Sequence, residues 1–199
     1  CVIMSDYIPE LIQQIKNYGI NVIIPDKLNN IEGAEAYHSD MSICHISKNK
    51  FMIAQNNTGL INKLKLINAD IILSSNQICG KYPNITALNV CIFGNNLICN
   101  TKYADNNIID FCQNNHLKIL HTNQGYSKCS SAVISNDALI TADESIYNLC
   151  RKNQIDVLKI SNEGIRLNGY NYGFIGGTCG LIDKHTLAFS GNIKFHNDY

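Results

Sequence analysis

The sequence predicts an α/β fold built from units in which a β-hairpin is followed by a helix and then by a short buried strand. Three observations support this prediction. Polar turns separate pairs of apolar segments, helical spacing of apolar residues follows each pair, and a short apolar segment closes each unit. The pattern recurs with a period of about 45 residues. Such units bury a continuous core when neighbouring copies pack together.

Five such units fit the 199 residues as one domain. The predicted units span approximately residues 1–25, 36–74, 84–121, 126–160 and 170–199. The first lacks its opening strand, and the last lacks its helix and its closing strand. We therefore expect the native chain to extend beyond residues 1–199 at both ends.

Local signals mark the elements of each unit. The segments SKNK, GNN, SND and DKH are polar and suit hairpin turns. Asp6 and Asp143 occupy positions expected of helix N-caps, and Gly19 follows a predicted helix end. The closing strands, residues 22–24, 71–73 and 157–158, are continuously apolar, which predicts that they are buried on both faces.

Composition narrows the class of partner. Lys and Arg total 16, Asp and Glu total 16, and the formal net charge is zero. No basic field is available to hold nucleic acid or an anionic membrane. No apolar segment approaches the roughly 20 residues that span a bilayer. We expect a cytoplasmic protein that acts on a small-molecule substrate and has no nucleic-acid or membrane partner. The sequence does not predict the oligomeric state.

The chain contains nine cysteines but no C-x-x-C motif. Several cysteines replace aliphatic residues inside apolar segments, which favours reduced, packed thiols. We expect neither a cofactor nor a metal. One alternative remains open, a metal site built from His38, Asp40 and His45.

The segment AEAYHSDMSICHISKNKFMIA, residues 34–54, is predicted to be a hairpin with a polar first strand. In a strand, His38, Asp40, Ser42 and Cys44 would share one face, because side chains alternate. A face that carries an imidazole, a carboxylate, a hydroxyl and a thiol either contacts water or lines a site.

Five units of this kind around a pseudo-fivefold axis resemble the pentein, or guanidine-modifying enzyme, superfamily, which implies an αβ-propeller. The His38-Ser39-Asp40 segment resembles its H-x-D motif, and Gly176-Gly177-Thr178-Cys179 resembles a shortened form of the stretch before its nucleophilic cysteine. SSAVISNDALITAD is similar to the hairpin that carries a carboxylate in the hydrolases. The nearest resemblance is to a bacterial branch for which no substrate is implied.

The resemblance implies roles for these residues. A cysteine attacks the guanidinium carbon, a histidine protonates the leaving amine and activates water, and carboxylates hold the planar cation. These residue types suit the chemistry, since a thiolate is a strong nucleophile and imidazole titrates near neutral pH. His38 and Asp40 are the candidates for the acid–base and carboxylate roles. The superfamily also includes a non-enzymatic member.

The candidate nucleophiles are Cys129 and Cys179, and the remaining alternative is that neither of them reacts. Cys129 follows Lys128, whose ammonium would favour a thiolate, and Cys179 follows two glycines that permit close approach to a ligand. The implied fold places the first strands of the hairpins around a central pocket. Asn89, Gln124, Tyr126, Gly176 and Gly177 are the candidate substrate-binding residues there.

The leading hypothesis is a cysteine-dependent hydrolase or deiminase of a guanidino or amidino small molecule. The second is a binding protein that retains the fold without catalysis, and the third is a metal-dependent hydrolase. Asp143 is expected to serve as a helix cap more than as a ligand for a guanidinium group.

Overall fold

The structure is a computed structural model that describes residues 1–29, 31 and 33–199. The chain divides into two compact units, which are described separately. Unit 1 comprises residues 1–88 and 103–111, and unit 2 comprises residues 89–102 and 112–199. The predicted mixed α/β class is confirmed, and the strands of the described residues form five small sheets. Closure of the sheets around a common axis stays a prediction.

Unit 1 contains a parallel strand pair and one three-stranded sheet. Its helices and strands are, in chain order, β1 (Val2–Ile3), α1 (Pro9–Asn17), β2 (Val22–Ile23), α2 (Ser39–Ser42), β3 (Ile43–Ser47), β4 (Lys50–Ile53), α3 (Thr58–Lys65) and β5 (Asp70–Leu73). β1 pairs parallel with β2. β3 and β4 form an antiparallel hairpin, and β5 follows α3 and pairs parallel with β4.

The hairpin, helix and parallel strand occur in the same order twice more. The remaining elements are β6 (Cys91–Phe93), β7 (Asn96–Cys99), α4 (Asn106–Asn114), β8 (Lys118–His121), β9 (Ser131–Val133), β10 (Ala138–Thr141), α5 (Glu144–Lys152), β11 (Asp156–Lys159), β12 (Cys179–Asp183) and β13 (Thr186–Phe189). All these strands belong to unit 2. The sheets have the orders β6-β7-β8 and β11-β10-β9, and β12 pairs with β13 as a hairpin.

Each unit has its own apolar core. In unit 1, Leu60 and Leu64 of α3 pack against Ile53 of β4. In unit 2, a cluster from the two three-stranded sheets and α5 includes Ile98, Leu139 and Cys150. Burial of each leucine or isoleucine contributes about 1.5–3 kcal/mol relative to exposure. The helices therefore lie where their apolar faces cover the sheets.

All nine cysteines lie in the described residues and are free thiols. Cys99, Cys112 and Cys150 are completely buried. Burial raises the pKa of Cys99 to about 12, with a further contribution from neighbouring Cys112, and it raises the pKa of Cys112 to about 11. Burial likewise raises the pKa of Cys150 to about 12, helped by Cys91. These thiols remain protonated and pack as small apolar side chains.

The prediction that residues 38–44 form a single strand is wrong. His38 ends the 3₁₀ turn Ala34–Tyr37 and precedes α2, whose first turn contains Asp40. Residues two apart on a helical turn do not share a face, so His38 and Asp40 are not aligned as strand neighbours. α2 forms because buried Met41 and Ser42 direct this segment inward before the sheet begins at Ile43.

The predicted strand positions of the other site residues are also corrected. Asn89 precedes β6, Cys129 lies in the turn before β9, and Gly176 and Gly177 belong to the 3₁₀ turn Ile175–Gly177. Only Cys179 begins a strand, β12. The polar and small residues form turns here because their side chains and main chains bond to one another instead of to a neighbouring strand.

The closing strands are less buried than predicted. Each pairs with one neighbouring strand and lies at the edge of its sheet. Leu73 of β5 is 44% exposed, and Leu158 of β11 is 59% exposed. The apolar sequence of these strands therefore overestimated their burial. Side chains alternate between the two faces of a strand, and each of these strands has exposed positions.

The helix-boundary predictions have mixed outcomes. Asp143 caps α5, because its side chain accepts a hydrogen bond from the Ile146 amide. Gly19 follows α1 with φ of 73°, which is the left-handed conformation that favours glycine. Asp6 does not cap α1, since the helix begins later, at Pro9. Proline suits a first helical position because its φ is fixed and it has no N–H to satisfy.

Candidate functional site

The candidate site residues are divided between the units. His38 and Asp40 belong to unit 1, where both are half-buried beside α2. The other candidates belong to unit 2. They are Asn89, Gln124, Tyr126, Cys129, Gly176, Gly177 and Cys179.

Asn89 and Cys129 form the most constrained part of unit 2. Asn89 is completely buried, and its Oδ1 accepts the amide hydrogens of Lys128 and Cys129 at 3.0 and 3.1 Å. Its Nδ2 donates to Cys129 Sγ at 3.0 Å. One side chain therefore holds both the main chain of this turn and the sulfur atom. We call this arrangement of the Asn89 side chain, the Lys128 amide, the Cys129 amide and the Cys129 sulfur the Asn89 clasp.

The glycine-rich stretch packs directly against the turn that contains Cys129. A Cβ on Gly176 would overlap the carbonyl oxygens of Lys128 and Ser131, so only glycine fits at this position without rearrangement. Lys128 Nζ donates to the Gly176 carbonyl at 3.3 Å. Gly177, in contrast, has open space at its Cβ position. Gly176 thus packs against the main chain of Lys128 and Ser131, on either side of Cys129 and Ser130.

The two candidate nucleophiles have different surroundings. Cys129 is 1% exposed, and its sulfur accepts a hydrogen bond from an amide. Cys179 is half-buried, and its thiol donates to the Ile175 carbonyl at 3.3 Å. The Cys129 sulfur is therefore an acceptor in this contact, whereas the Cys179 sulfur is the donor in its own. The polar contacts of Cys129 suit a nucleophile better, while its burial restricts access.

Gln124 connects the loop after β8 to the start of α5. Its Nε2 donates to Asp143 Oδ2 at 2.8 Å, and its Oε1 accepts the Tyr126 amide hydrogen at 3.0 Å. The Tyr126 ring lies 5.8 Å from the Phe174 ring, measured between centroids. The predicted binding residues Gln124 and Tyr126 are thus neighbours in one hydrogen-bonded turn.

Asp143 remains a carboxylate at neutral pH. Partial burial acts to raise its pKa, but hydrogen bonds from Ser145, Ile146 and Gln124 outweigh this effect and lower it. Ser145 Oγ and the Ile146 amide donate to Oδ1 at 2.6 and 2.9 Å. Asp143 therefore caps the helix, as predicted, and also holds a fixed negative charge near the loop that contains Gln124.

A small, partly open cleft lies beside these groups in unit 2, and its empty space of about 260 Å³ includes open solvent. Its lining residues are Gln124, Ser130, Ala142, Asp143, Asn162, Tyr172, Phe174 and Ile175. Ser130 is only 2% exposed, and its hydroxyl has no hydrogen-bond partner. We call this cavity the Asp143 cleft. It combines a carboxylate, an unsatisfied hydroxyl and two aromatic rings.

Sequence reasoning did not identify six residues of the Asp143 cleft, namely Ser130, Ala142, Asn162, Tyr172, Phe174 and Ile175. Aromatic residues crowd the segment YNYGF, residues 170–174, and this was a usable signal. Ser130 adjoins a candidate nucleophile but resembles any turn serine. Its significance depends on burial, which local sequence does not determine.

The three-residue metal site considered above is not formed. Among residues 1–29, 31 and 33–199, no three His, Cys, Asp or Glu side chains converge to hold a metal ion. His45 is exposed on β3, where its Nε2 contacts the Lys48 carbonyl at 2.9 Å and its ring lies against Phe51. A neighbouring turn carbonyl thus contacts one of the two imidazole nitrogens of His45.

Within the described part of the chain, no helix is long and apolar enough to cross a membrane.

Comparisons with known proteins identify the family of this chain. None of the curated proteins matches this sequence. A solved structure of a dimethylarginine dimethylaminohydrolase adduct with 4-chloro-2-hydroxymethylpyridine is similar to this chain, with 12% sequence identity and a TM-score of 0.45. The match covers 81% of this chain and 66% of that chain, so this chain spans just under two-thirds of that enzyme. The model of a family of unknown function, DUF6873, matches residues 2–199, and the chain therefore belongs to that family.

Proposed function

We propose that this protein is a cysteine-dependent hydrolase or deiminase that acts on a guanidino or amidino small molecule, with Cys129 as its nucleophile. In this proposal the units assemble as a pentein-like αβ-propeller. The repeated order of hairpin, helix and parallel strand in three sheets supports that assembly. The H-x-D segment at His38 and Asp40 and the glycines before Cys179 support it independently.

The Asn89 clasp is the observation that carries the proposal. A buried amide that bonds to the main chain and the sulfur of one cysteine fixes the position of that sulfur. A nucleophile works best when it is held in position before the substrate arrives. Ser130, the next residue, lines the Asp143 cleft, so the clasp lies beside an opening to solvent.

The proposed reaction proceeds in two steps. The Cys129 thiolate adds to the central carbon of the cation to form a C–S bond, and the C–N bond to the leaving amine breaks as that nitrogen takes a proton from the His38 imidazolium. His38 then removes a proton from water, whose oxygen attacks the thiouronium carbon. The C–S bond breaks, which releases the ureido or amide product and restores the thiolate. Asp40 is assigned to orient the imidazole or the cation.

Alkylation by a substrate-like electrophile tests the proposal. Chloroacetamidine carries an amidinium beside a reactive carbon, and chloroacetamide is its neutral counterpart of nearly the same shape. We expect chloroacetamidine to label Cys129 preferentially. For each cysteine, the labelling rate with chloroacetamidine is divided by the rate with chloroacetamide. This quotient should be at least tenfold higher at Cys129 than at exposed Cys79. His38→Ala should reduce the rate at Cys129 and leave Cys79 unchanged. Peptide mass spectrometry resolves each site.

Equal reagent ratios at Cys129 and Cys79 would refute the proposal. The proposal would also be refuted if both reagents labelled Cys129 as slowly as they label the core thiol Cys150. Preferential labelling of Cys179 would move the nucleophile to that residue.

The second candidate function is a non-catalytic binding protein, and the burial of Cys129 favours it. With 1% of its surface exposed, the sulfur is not accessible to a substrate carbon in this conformation. In this alternative the Asn89 clasp is structural and the Asp143 cleft is the binding site. Saturable ligand binding together with an unreactive Cys129 would support the alternative over catalysis.

A further inference from the structure

We infer that the Asp143 cleft binds a primary ammonium group, held by the carboxylate of Asp143 and the hydroxyl of Ser130 against the rings of Tyr172 and Phe174. The site lies wholly within unit 2. It goes beyond the proposed hydrolase function, because it requires no reaction at Cys129. The ligand class follows from three features of the cleft.

The first feature is the buried hydroxyl of Ser130. Ser130 is 2% exposed, lines the cleft, and has no partner for its Oγ. Proteins seldom leave a buried polar group without a hydrogen bond, and such a group can mark a place that a ligand fills. A hydroxyl oxygen accepts a hydrogen bond from an ammonium N–H in the same way that it accepts one from water.

The second feature is the number of acceptor sites left on Asp143. Ser145 Oγ and the Ile146 amide donate to Oδ1, the Ser145 amide also bonds to the carboxylate, and Gln124 donates to Oδ2. Oδ2 has two lone-pair sites and accepts from Gln124, which leaves at most one site for a further donor. A guanidinium binds in bidentate fashion through an acceptor site on each oxygen. One open site instead suits a single ammonium N–H, with Ser130 Oγ accepting a second.

The third feature is the pair of aromatic rings. Tyr172 and Phe174 both line the cleft and pack edge to face, with centroids 6.1 Å apart. Aromatic faces attract organic cations, and such a pair presents a ring face and a ring edge at one place. The cleft is small, so it suits a head group more than a large ligand.

Titration with n-propylammonium chloride, followed by ¹H–¹⁵N NMR at constant ionic strength, tests the inference. Amide signals of Ile146 and Tyr126, which bond to Asp143 and Gln124, should shift saturably. We expect n-propylguanidinium to bind about tenfold more weakly, and n-propyltrimethylammonium, which has no N–H donor, to bind more weakly still. Potassium chloride at the same concentration is the control for ionic effects.

Ser130→Ala and Ser131→Ala form a matched pair of variants. Both hydroxyls are buried and without a partner, so neither substitution removes a hydrogen bond of the folded protein. Ser130 lines the cleft, whereas Ser131 is not among its lining residues. Ser130→Ala should weaken n-propylammonium binding about tenfold, as expected for the loss of a hydrogen bond to a charged group. Ser131→Ala should leave the affinity unchanged.

Three results would overturn the inference. One is equal binding of n-propylammonium to the wild-type protein and the Ser130→Ala variant. Another is tighter binding of n-propylguanidinium, which would assign the cleft to a planar cation and agree with the proposed function. The third is the absence of any saturable shift with n-propylammonium. An unreactive Cys129 would leave the inference intact, so the two proposals can fail separately.

Discussion

Replacement of Asn89 by alanine should destabilise the protein by about 3 kcal/mol. The substitution removes three hydrogen bonds inside a completely buried region, and each contributes about 1 kcal/mol. The Lys128 amide would retain a longer bond of 3.4 Å to the Asn89 carbonyl, so we do not add a full penalty for an unsatisfied donor there. The Cys129 amide and sulfur would lose the partner that the side chain provides.

Urea denaturation measures this effect. The chain has ten tyrosines and no tryptophan, so tyrosine fluorescence and far-ultraviolet circular dichroism are the suitable probes. With a slope of about 2 kcal/mol per molar urea, a loss of about 3 kcal/mol lowers the midpoint by about 1.5 M. The slope itself should not change.

Two asparagine variants serve as controls. Asn57 is the counterpart in unit 1, since its side chain bonds to Asp26, Ser42 and Leu60 and is 2% exposed. Asn57→Ala should cost a similar amount. Asn148 makes one exposed bond within α5, so Asn148→Ala should change stability by less than about 0.5 kcal/mol. A loss below about 1 kcal/mol for Asn89→Ala would refute the view that the clasp secures this turn.

Three further predictions follow from the structure. Gly176→Ala should lower stability by about 1–3 kcal/mol, because its Cβ overlaps two carbonyl oxygens, while Gly177→Ala should be nearly neutral in the same urea assay. Partial burial acts to raise the pKa of Asp143, but its hydrogen bonds outweigh burial and lower it. Its contribution to stability is therefore complete above about pH 4 and is lost as the pH falls through the lowered folded-state pKa. Asp143→Asn should therefore have its largest effect on the urea midpoint near neutral pH, and a difference that grows on acidification would contradict this. Burial raises the pKa of Cys150 to about 12, so iodoacetamide at pH 8 should label exposed Cys79 at least a hundredfold faster than Cys150. Unfolding in urea should abolish this difference in rate.

The regular elements were predictable because their signals are local. Gly94 and Asn95 of the segment GNN fall between β6 and β7, and Asp143 caps the helix that its position predicts. Hairpins and helices depend on neighbours within a few positions, so a pattern of apolar and polar residues is enough to place them.

The positions of the site residues were less predictable for two physical reasons. Alternating polar residues over four positions suit a strand or a single helical turn, and at Asp40 the buried contacts of α2 decided in favour of the turn. At Cys129, the deciding partner is Asn89, which lies 40 positions earlier in the chain. Local sequence does not encode a contact of that length.

The Asp143 cleft likewise depends on contacts between residues that are distant in sequence. Its lining runs from Gln124 to Ile175 and includes the segment after β11. Sequence reasoning identified Gln124 as a ligand-binding candidate and treated Asp143 chiefly as a cap. The hydrogen bond between these two side chains gives the cap its second role.

The reach of the Asn89 clasp along the chain has a kinetic consequence. The parallel strand pairs of unit 2 join positions only about 20 residues apart, such as Asn96 with Lys118 and Ala138 with Asp156. Pairings this close in sequence close small loops and form early, whereas a bond across 40 residues forms after more chain entropy has been lost. The clasp should thus be absent from the folding transition state. Asn89→Ala should then leave the folding rate nearly unchanged and express its full effect as faster unfolding.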